Sequence, residues 1–495
     1  MTINIVSCVV AYKNRLAIGK NNDLLLKLKG DQEFFKKITS ESLCKFSKLH
    51  KNVVLMGRRT WFSIPQSKRP LNNRINLVLT NDKDLKKSSP YDVKKKIDKD
   101  LYFLDYDQFI QFYKKTNANV FVIGGSDIYK LFLSKDSIYP AQNVYITEVK
   151  NYKLNVEPDT FMEIPDYRYC LSGYSSRYET EKCNYRILLY KLKNEKTDEF
   201  NYLDLTKEIL IKGNTKVDRT GVGTISYFGK MLRFDISNGT LPLFTTKRVP
   251  LKSIIEELLF FCRGDTDSNI LNERGVKIWN GNSTREFLDK RNLHHYKIGV
   301  LGPIYSWQWR FFGGEYSQAF ANTKKVDTTK IGGFDQLSHV EHLLKTDPFS
   351  RRILLSAWNP MDLNKMALPP CHHSIQFYVE EINNEKYLSI LFNMRSTDTF
   401  LGLPFNIASY TILANIMAIK TGMKTKELVF VGGDVHLYKN HISQINEQLK
   451  RTPRPFPKIH LDKSLEYKDW SQMEYTDFEL IGYFPHPTIK AIMAV

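Results

Sequence analysis

Leu368-Pro-Pro-Cys-His-His-Ser-Ile-Gln-Phe-Tyr-Val379, the polar break Asn383-Asn384 and Tyr387-Leu-Ser-Ile-Leu-Phe392, running into Arg395-Ser-Thr-Asp398, decide how the second half of this chain folds. Two β-rich runs around a short Asn break predict an antiparallel hairpin. Folding about Asn383-Asn384 pairs positions whose numbers sum to about 767, which sets Cys371 opposite Arg395 and Ser396. A cysteine attacks only as thiolate, and a fixed positive charge nearby brings its pKa down from about 8.5. Pro369 and Pro370 offer no amide donors and stiffen the approach to the sulfur. A lone cysteine is more often a small buried hydrophobe, so its neighbours must decide.

Gly402-Leu-Pro-Phe-Asn406 follows, with Pro404 suited to a helix first turn and Gly422 to its end. Between them Ile407 to Ile419 is apolar on nearly every face, which predicts a buried helix carrying Asn406 inward. An amide so placed answers both the carbonyl and the N–H of a flat heterocycle. With Ser350-Arg351-Arg352 upstream and Asp434-Val-His436-Leu-Tyr438 downstream, the stretch from about residue 200 to 495 resembles thymidylate synthase.

That resemblance implies Cys371 as nucleophile on dUMP, with Arg395 beside it in a catalytic role. It puts Arg219 of Asp218-Arg-Thr-Gly-Val-Gly223, with Arg395 and Ser396, on the nucleotide phosphate, and brings Arg351 and Arg352 from the other subunit of a homodimer. It puts Asn406 at the uracil edge, His436 and Tyr438 at the ribose hydroxyl, and Asp398 where nucleotide and pterin meet. On Leu251 to Phe261, helical spacing sets Ile254, Ile255, Leu258 and Phe261 on one arc with Glu257 at its edge, where glutamate is ordinarily exposed. By resemblance Glu257 relays protons through water, Tyr305 stands near the carbon that loses its proton, and Trp279 and Asn280 flank the folate. Ser306 and Met394 depart from the family pattern without removing one of these groups, and the end Lys490-Ala-Ile-Met-Ala-Val495 is similar to a tail that closes over folate.

The first half alternates strand and helix signals. Ile3 to Ala11 is a near-continuous apolar run, as a strand covered on both faces requires, and Val53-Val-Leu-Met-Gly57, Ile75 to Thr80 and Val120-Phe-Val-Ile-Gly-Gly125 repeat the device. Beyond such strand ends, helix N-termini and bare amides favour phosphates, so Gly57-Arg58-Arg59-Thr60 and Gly124-Gly125-Ser126 are candidates for a dinucleotide. Asp31, opening a helix with Phe34 and Phe35, reads as an N-cap or as an acid that binds and helps protonate an aminopyrimidine. Over about residues 3 to 191 these motifs, with Ile18-Gly19, Val54 to Trp61, Ile64-Pro65, Arg69-Pro-Leu71 and Val122 to Ser126, resemble dihydrofolate reductase.

This second resemblance implies that Asp31 anchors the pterin with support from Thr147, and that Val9, Val10, Phe35, Ile64 and Leu71 wall the folate. Arg74 forks its glutamate carboxylate, while Arg58, Arg59, Thr60 and Thr80 hold the phosphates that distinguish NADPH. Ala11, Ile18, Gly19, Gly57, Ile123, Gly124, Gly125, Ser126 and Tyr129 line the rest of that cofactor site. Leu25-Leu26 stands where relatives carry a Pro-Trp pair whose indole helps position a water, and leucine donates no hydrogen bond.

At 495 residues the chain is long enough for several domains. The division read here is 1–192, a charged linker 193–200, and 201–495. The fold class expected is a doubly wound, mixed-sheet α/β domain followed by an α+β domain. A net charge of +19 and a pI near 9.3 fit small anionic ligands, nucleic acid or an anionic membrane without choosing among them. The densest run, Asp82 to Asp100, interleaves lysines with aspartates and reads as a solvated loop. Six scattered cysteines without a CxxC pair or zinc spacing suggest a reducing compartment and no metal. No leader is evident and no run approaches a membrane span, which predicts a cytoplasmic protein without a membrane partner. Together the resemblances imply one enzyme of the thymidylate cycle, with NADPH as cofactor and 5,10-methylenetetrahydrofolate as cosubstrate. The alternatives are a synthase with a weakened or scaffolding reductase, and a basic RNA-binding protein.

Overall fold

The computed structural model describes residues 2–41, 49–193, 195–218 and 220–493; Cys44 and Arg219 lie outside them. By internal contacts the chain divides into two units, Met1–Lys196 and Thr197–Val495.

In the first unit the apolar run at the start becomes β1 (Thr2–Tyr12), interior to its sheet and buried along most of its length. A turn through Lys13 and Asn14, both with positive φ, leads to β2 (Arg15–Lys20) and β3 (Asp23–Leu24), followed by α1 (Lys29–Ser40). The parallel part continues through β4 (Asn52–Gly57), α2 (Arg58–Ser63), β5 (Arg74–Leu79), α3 (Lys83–Ser88) and β6 (Leu101–Leu104). After α4 (Tyr106–Thr116) come β7 (Asn119–Val122), α5 (Ser126–Leu133) and β8 (Asn143–Lys150). Then β9 (Thr160–Met162), β10 (Tyr169–Tyr174), β11 (Tyr178–Glu179) and β12 (Asn184–Leu192) complete the unit. The sheet order is β10-β12-β8-β1-β7-β4-β5-β6, parallel from β8 to β6 and antiparallel at β12 and β10, the mixed sheet expected. The Asp82–Asp100 run is not loop throughout: Asp82 caps α3 by accepting from the Asp84 and Leu85 amides, a start signal that charge counting obscured.

The second unit opens with α6 (Glu199–Lys212), which begins inside the stretch read as linker because the Glu199 carboxylate is buried against Thr245 and Thr246. Next are β13 (Asn214–Lys216), β14 (Thr224–Asp235), α7 (Leu251–Arg263), α8 (Asn269–Glu273), α9 (Arg285–Lys290), α10 (Tyr305–Arg310) and α11 (Gln336–Thr346). They lead to β15 (Leu354–Ser356), β16 (His372–Ile382), β17 (Glu385–Asp398), α12 (Gly402–Thr421) and β18 (Lys424–Tyr438). The strands are ordered β13-β14-β18-β17-β16-β15. β17 and β18 are parallel, with α12 as the crossover between them.

The hairpin keeps the expected register from Ile382↔Glu385 to Ser374↔Asn393, with Asn383 and Asn384 both left-handed in the turn. A bulge at His373 then slips it by one, so that His372 pairs Met394 and the Arg395 N–H donates to the Cys371 carbonyl at 2.9 Å. Helix α12 is longer than the apolar run suggested and ends at Gly422 with φ 68°, a conformation glycine adopts at little cost. By length and hydropathy α12 meets the requirement for crossing a membrane, contrary to expectation, but 72% of its apolar window is buried inside the protein. Ile407, Ile412 and Leu413 are fully buried; each such side chain contributes roughly 1.5–3 kcal/mol.

Two candidate active sites

In the second unit, α10 and the start of β16 meet at the nucleophile candidate. The Cys371 N–H donates to the Tyr305 hydroxyl at 2.7 Å, and the Tyr305 ring stacks on His372 at 4.0 Å and 16°. Burial pushes the Tyr305 phenol well up, and negative charge at Cys371 adds to the effect. The Arg395 guanidinium is fixed to the backbone leading into the cysteine, Nε donating to Pro370 O at 2.9 Å and Nη2 to Pro369 O at 3.0 Å. The charge is thus held by the same two prolines that stiffen the thiol's approach.

Glu257 is not the exposed edge residue that helical spacing suggested. It is half-buried, and Trp279 Nε1 donates to its Oε1 at 2.8 Å. Burial pushes this carboxyl up to about 7, while the Trp279 bond pulls the other way. Trp279 in turn sits 6.3 Å from the Tyr305 ring, so Glu257, Trp279, Tyr305 and Cys371 form one cluster. Asn280 follows on a short 3-10 turn.

A second group gathers where β17 and β18 end. Asp398 pairs with His436 in register, and its Oδ1 accepts from the amides of Phe400 and Leu401 at 3.0 and 3.1 Å, fixing the start of α12. Ser396 pairs with Asp434, whose Oδ1 lies 3.2 Å from His436 Nδ1; the Tyr438 ring is edge-on to His436 at 5.2 Å. On α12 the half-buried Asn406 amide has no hydrogen-bond partner among the described residues. Arg351 and Arg352 are exposed in the turn before β15, and their guanidinium groups are likewise unpartnered among the described residues. Sequence reasoning missed His372, Tyr410 and Asp434. The first is next to the cysteine, the second four residues beyond Asn406 and the third two before His436, spacings that mark neighbours on a strand or helix face.

In the first unit Asp31 is not a helix cap, because that position falls on Leu28. Its carboxylate accepts from the Thr147 hydroxyl at 2.5 Å, and burial raises its pKa against that bond. Val9 and Val10 are buried on β1, while Phe35, Ile64, Leu71 and Ile123 pack on one apolar cluster with Val54 and Met56. Arg74 is largely buried, donating to Thr39 Oγ1 at 2.8 Å and Asn72 O at 2.9 Å, with burial lowering its pKa.

The strand-to-helix turns fit a dinucleotide. The Gly57 N–H donates to Gly124 O at 2.8 Å, so the two turns lie side by side, and neither α2 nor α5 has a side-chain cap for its first amides. Gly124 has φ +121°, and a Cβ on Gly57 would stand 3.0 Å from Ile128 Cγ1, so glycine keeps the backbone bare. Thr60 Oγ1 lies within 3.5 Å of where either Gly124 or Gly125 would carry a Cβ. Arg58 pairs with Asp82 at 2.9 Å, whereas the Arg59 guanidinium has no partner among the described residues. Thr80 follows β5, with its Oγ1 accepting from the Asp82 amide at 3.1 Å. Ile18 and Gly19 lie on β2, and Ala11 is exposed near the end of β1. Ser126 Oγ donates to Phe161 O at 2.6 Å and the Tyr129 hydroxyl to Val6 O at 2.7 Å, so both hydroxyls are used internally. Leu24 to Lys29 line an open cleft of about 580 Å³ with Thr180 to Lys182.

Among the described residues no group of three His, Cys, Asp or Glu is arranged to hold a metal ion. The thymidylate synthase family model matches residues 200–495 and the dihydrofolate reductase family model residues 5–194. Curated relatives match both halves at once. A bifunctional dihydrofolate reductase-thymidylate synthase of Zea mays is 37% identical, covering 98% of this chain and 96% of the relative. Similar proteins from Arabidopsis thaliana (38%, 98% of this chain and 88% of the relative) and Leishmania major (37%, 99% and 95%) agree.

Proposed function

This chain belongs to the bifunctional dihydrofolate reductase-thymidylate synthase family, and from that premise we propose how its residues divide the work. The enzyme methylates dUMP to dTMP with 5,10-methylenetetrahydrofolate and reduces the dihydrofolate formed, using NADPH.

In the synthase half Cys371 adds as thiolate to carbon 6 of the pyrimidine, making carbon 5 nucleophilic towards the folate methylene. Arg395 holds the anion site with Ser396 and Arg219. Asn406 reads the uracil edge, and His436 and Tyr438 the ribose. Glu257, with a carboxyl poised near neutrality, moves protons at the pyrimidine. Tyr305 supports removal of the carbon 5 proton, Trp279 and Asn280 flank the folate, and Asp398 serves both ligands. The observation that carries this reading is the Cys371–Tyr305–Glu257 cluster beside a backbone-anchored guanidinium.

In the reductase half Asp31 and Thr147 hold the pterin, and Asp31 assists its protonation. The apolar wall of Val9, Val10, Phe35, Ile64 and Leu71 excludes water, and Arg74 meets the glutamate tail. Arg58, Arg59, Thr60 and Thr80 would hold the phosphates of NADPH. The double glycine turn, with Ala11, Ile18, Gly19, Ser126 and Tyr129, would line the remainder. NADPH supplies hydride when bound. The junction between domains is proposed to end before α6, at residue 198.

The synthase half is proposed to work as a homodimer in the cytoplasm, with Arg351 and Arg352 reaching the partner's phosphate site. Phe228 on β14 and Tyr378 on β16 are 82% and 63% exposed, large apolar side chains that a second copy would cover. Peptide mass spectrometry after trapping with a fluorinated dUMP and methylenetetrahydrofolate tests the reading: an adduct at Cys371 is expected, and an unmodified residue 371 overturns it. NADPH oxidation by dihydrofolate, lost in Asp31→Asn and kept in Cys371→Ser, excludes a reductase that only scaffolds.

A further inference from the structure

Tyr410 lies one helical turn beyond Asn406 on α12 and is 3% exposed, so the two side chains share a face. Its hydroxyl is 2.6 Å from His372 Nδ1, and its ring stacks on Phe392 at 4.3 Å. His372 stacks in turn on Tyr305, whose hydroxyl takes the Cys371 N–H. A continuous path thus runs from the buried helix to the nucleophile's backbone.

Both groups of the first link are neutral. Burial, with a smaller push from His373, holds the His372 imidazole neutral, down to about 3. Burial, with a smaller push from Glu257, keeps the Tyr410 phenol protonated. Each group therefore has one hydrogen. A link in which the Tyr410 hydroxyl donates to Nδ1 leaves the hydrogen of His372 on Nε2.

We infer that Tyr410 is a positioning residue for dUMP methylation: it fixes the Nε2–H tautomer of His372 and, through the His372–Tyr305 stack, the seat of Cys371. The inference rests on the synthase reading above. A tyrosine that merely filled space would be replaced by phenylalanine without consequence.

Tyr410→Phe keeps the ring and removes the hydroxyl. The expected result is a fall in kcat for dUMP methylation of about tenfold, with KM for dUMP held within about twofold. In a His372→Gln background the same substitution has no further effect, because the group it acts through is gone. A kcat for Tyr410→Phe within about twofold of the unaltered chain, or penalties that multiply in the double variant, overturns the inference. Nitrogen-15 spectra of the histidine-labelled full chain give a second reading that needs no variant at Tyr410. The His372 Nδ1, identified by its loss in His372→Gln, is expected to be unprotonated; a protonated Nδ1 overturns the inference. An unaltered chain that turns over no dUMP overturns the functional reading instead, and the nitrogen spectrum separates that failure from this one.

Discussion

Asp31 on α1 and Thr147 on β8 are joined by a hydroxyl-to-carboxylate bond of 2.5 Å. Burial raises the acid's pKa, and this bond opposes the rise by favouring the charged form. Thr147→Val removes the opposing influence, so the alkaline fall of reductase kcat/KM is expected to move to higher pH, read from initial rates of NADPH oxidation. The same shift sets a stability trend. A carboxyl raised in the folded state stabilises fully below its unfolded value and loses that contribution as pH rises through the folded one. Asp31→Asn is therefore expected to be more resistant to urea at neutral pH than the unaltered chain, while losing reductase activity.

Glu257, pushed up to about 7 by burial, accepts a bond from Trp279 that favours its ionised form. Trp279→Phe is expected to raise that pKa further, so the acid limb of the synthase rate moves to higher pH and activity lost at neutrality returns in mild alkali. Glu257→Gln is expected to lower kcat about 100-fold or more at every pH. Full pH profiles of dihydrofolate formation check both.

Gly30 sits on α1 one residue before Asp31, and a Cβ there would stand 2.4 Å from the Tyr185 hydroxyl, the end of a ring 4% exposed. Gly30→Ala is expected to destabilise the first unit by about 1–3 kcal/mol through overpacking, despite the better helix propensity of alanine. Reductase activity should fall with it while dUMP methylation is unchanged. Denaturant titration and the paired assays measure this.

If Arg351 and Arg352 serve the partner's site, Arg351→Glu/Arg352→Glu subunits and Cys371→Ser subunits are each inactive as synthases alone. Mixed and refolded together they regain methylation, since one site per heterodimer has both parts intact. Mixtures that stay inactive while heterodimers form would rule out sharing.

Much of the second unit was legible because its signals are local. Asn383-Asn384 defines a turn, and the alternating strands carry the register from it to Ser374, so Cys371 and Arg395 could be set together from numbering alone. The bulge at His373 was not legible, since an unpaired residue is decided by neighbouring strands. Nor was the depth of Glu257, which depends on Trp279, distant in sequence and brought close only by packing. In the first unit the strands announced themselves by apolar runs, and the two strand-to-helix turns by their glycines. The internal commitments of Arg74 to Thr39 and of Tyr129 to Val6 left no trace in spacing, because each joins separate elements through a single side-chain atom.

Helix α12 is buried from Ile407 to Leu413, Tyr410 included, while Asn406 at its start is half-buried. If Asn406 reads the pyrimidine as proposed, a change in that reading arrives coupled to a rearranged interior, because the next two turns of the helix are packed on every side. A nucleotide analogue that engages this helix therefore meets a target whose escape variants carry a thermal handicap, a penalty that escape through a surface loop does not impose.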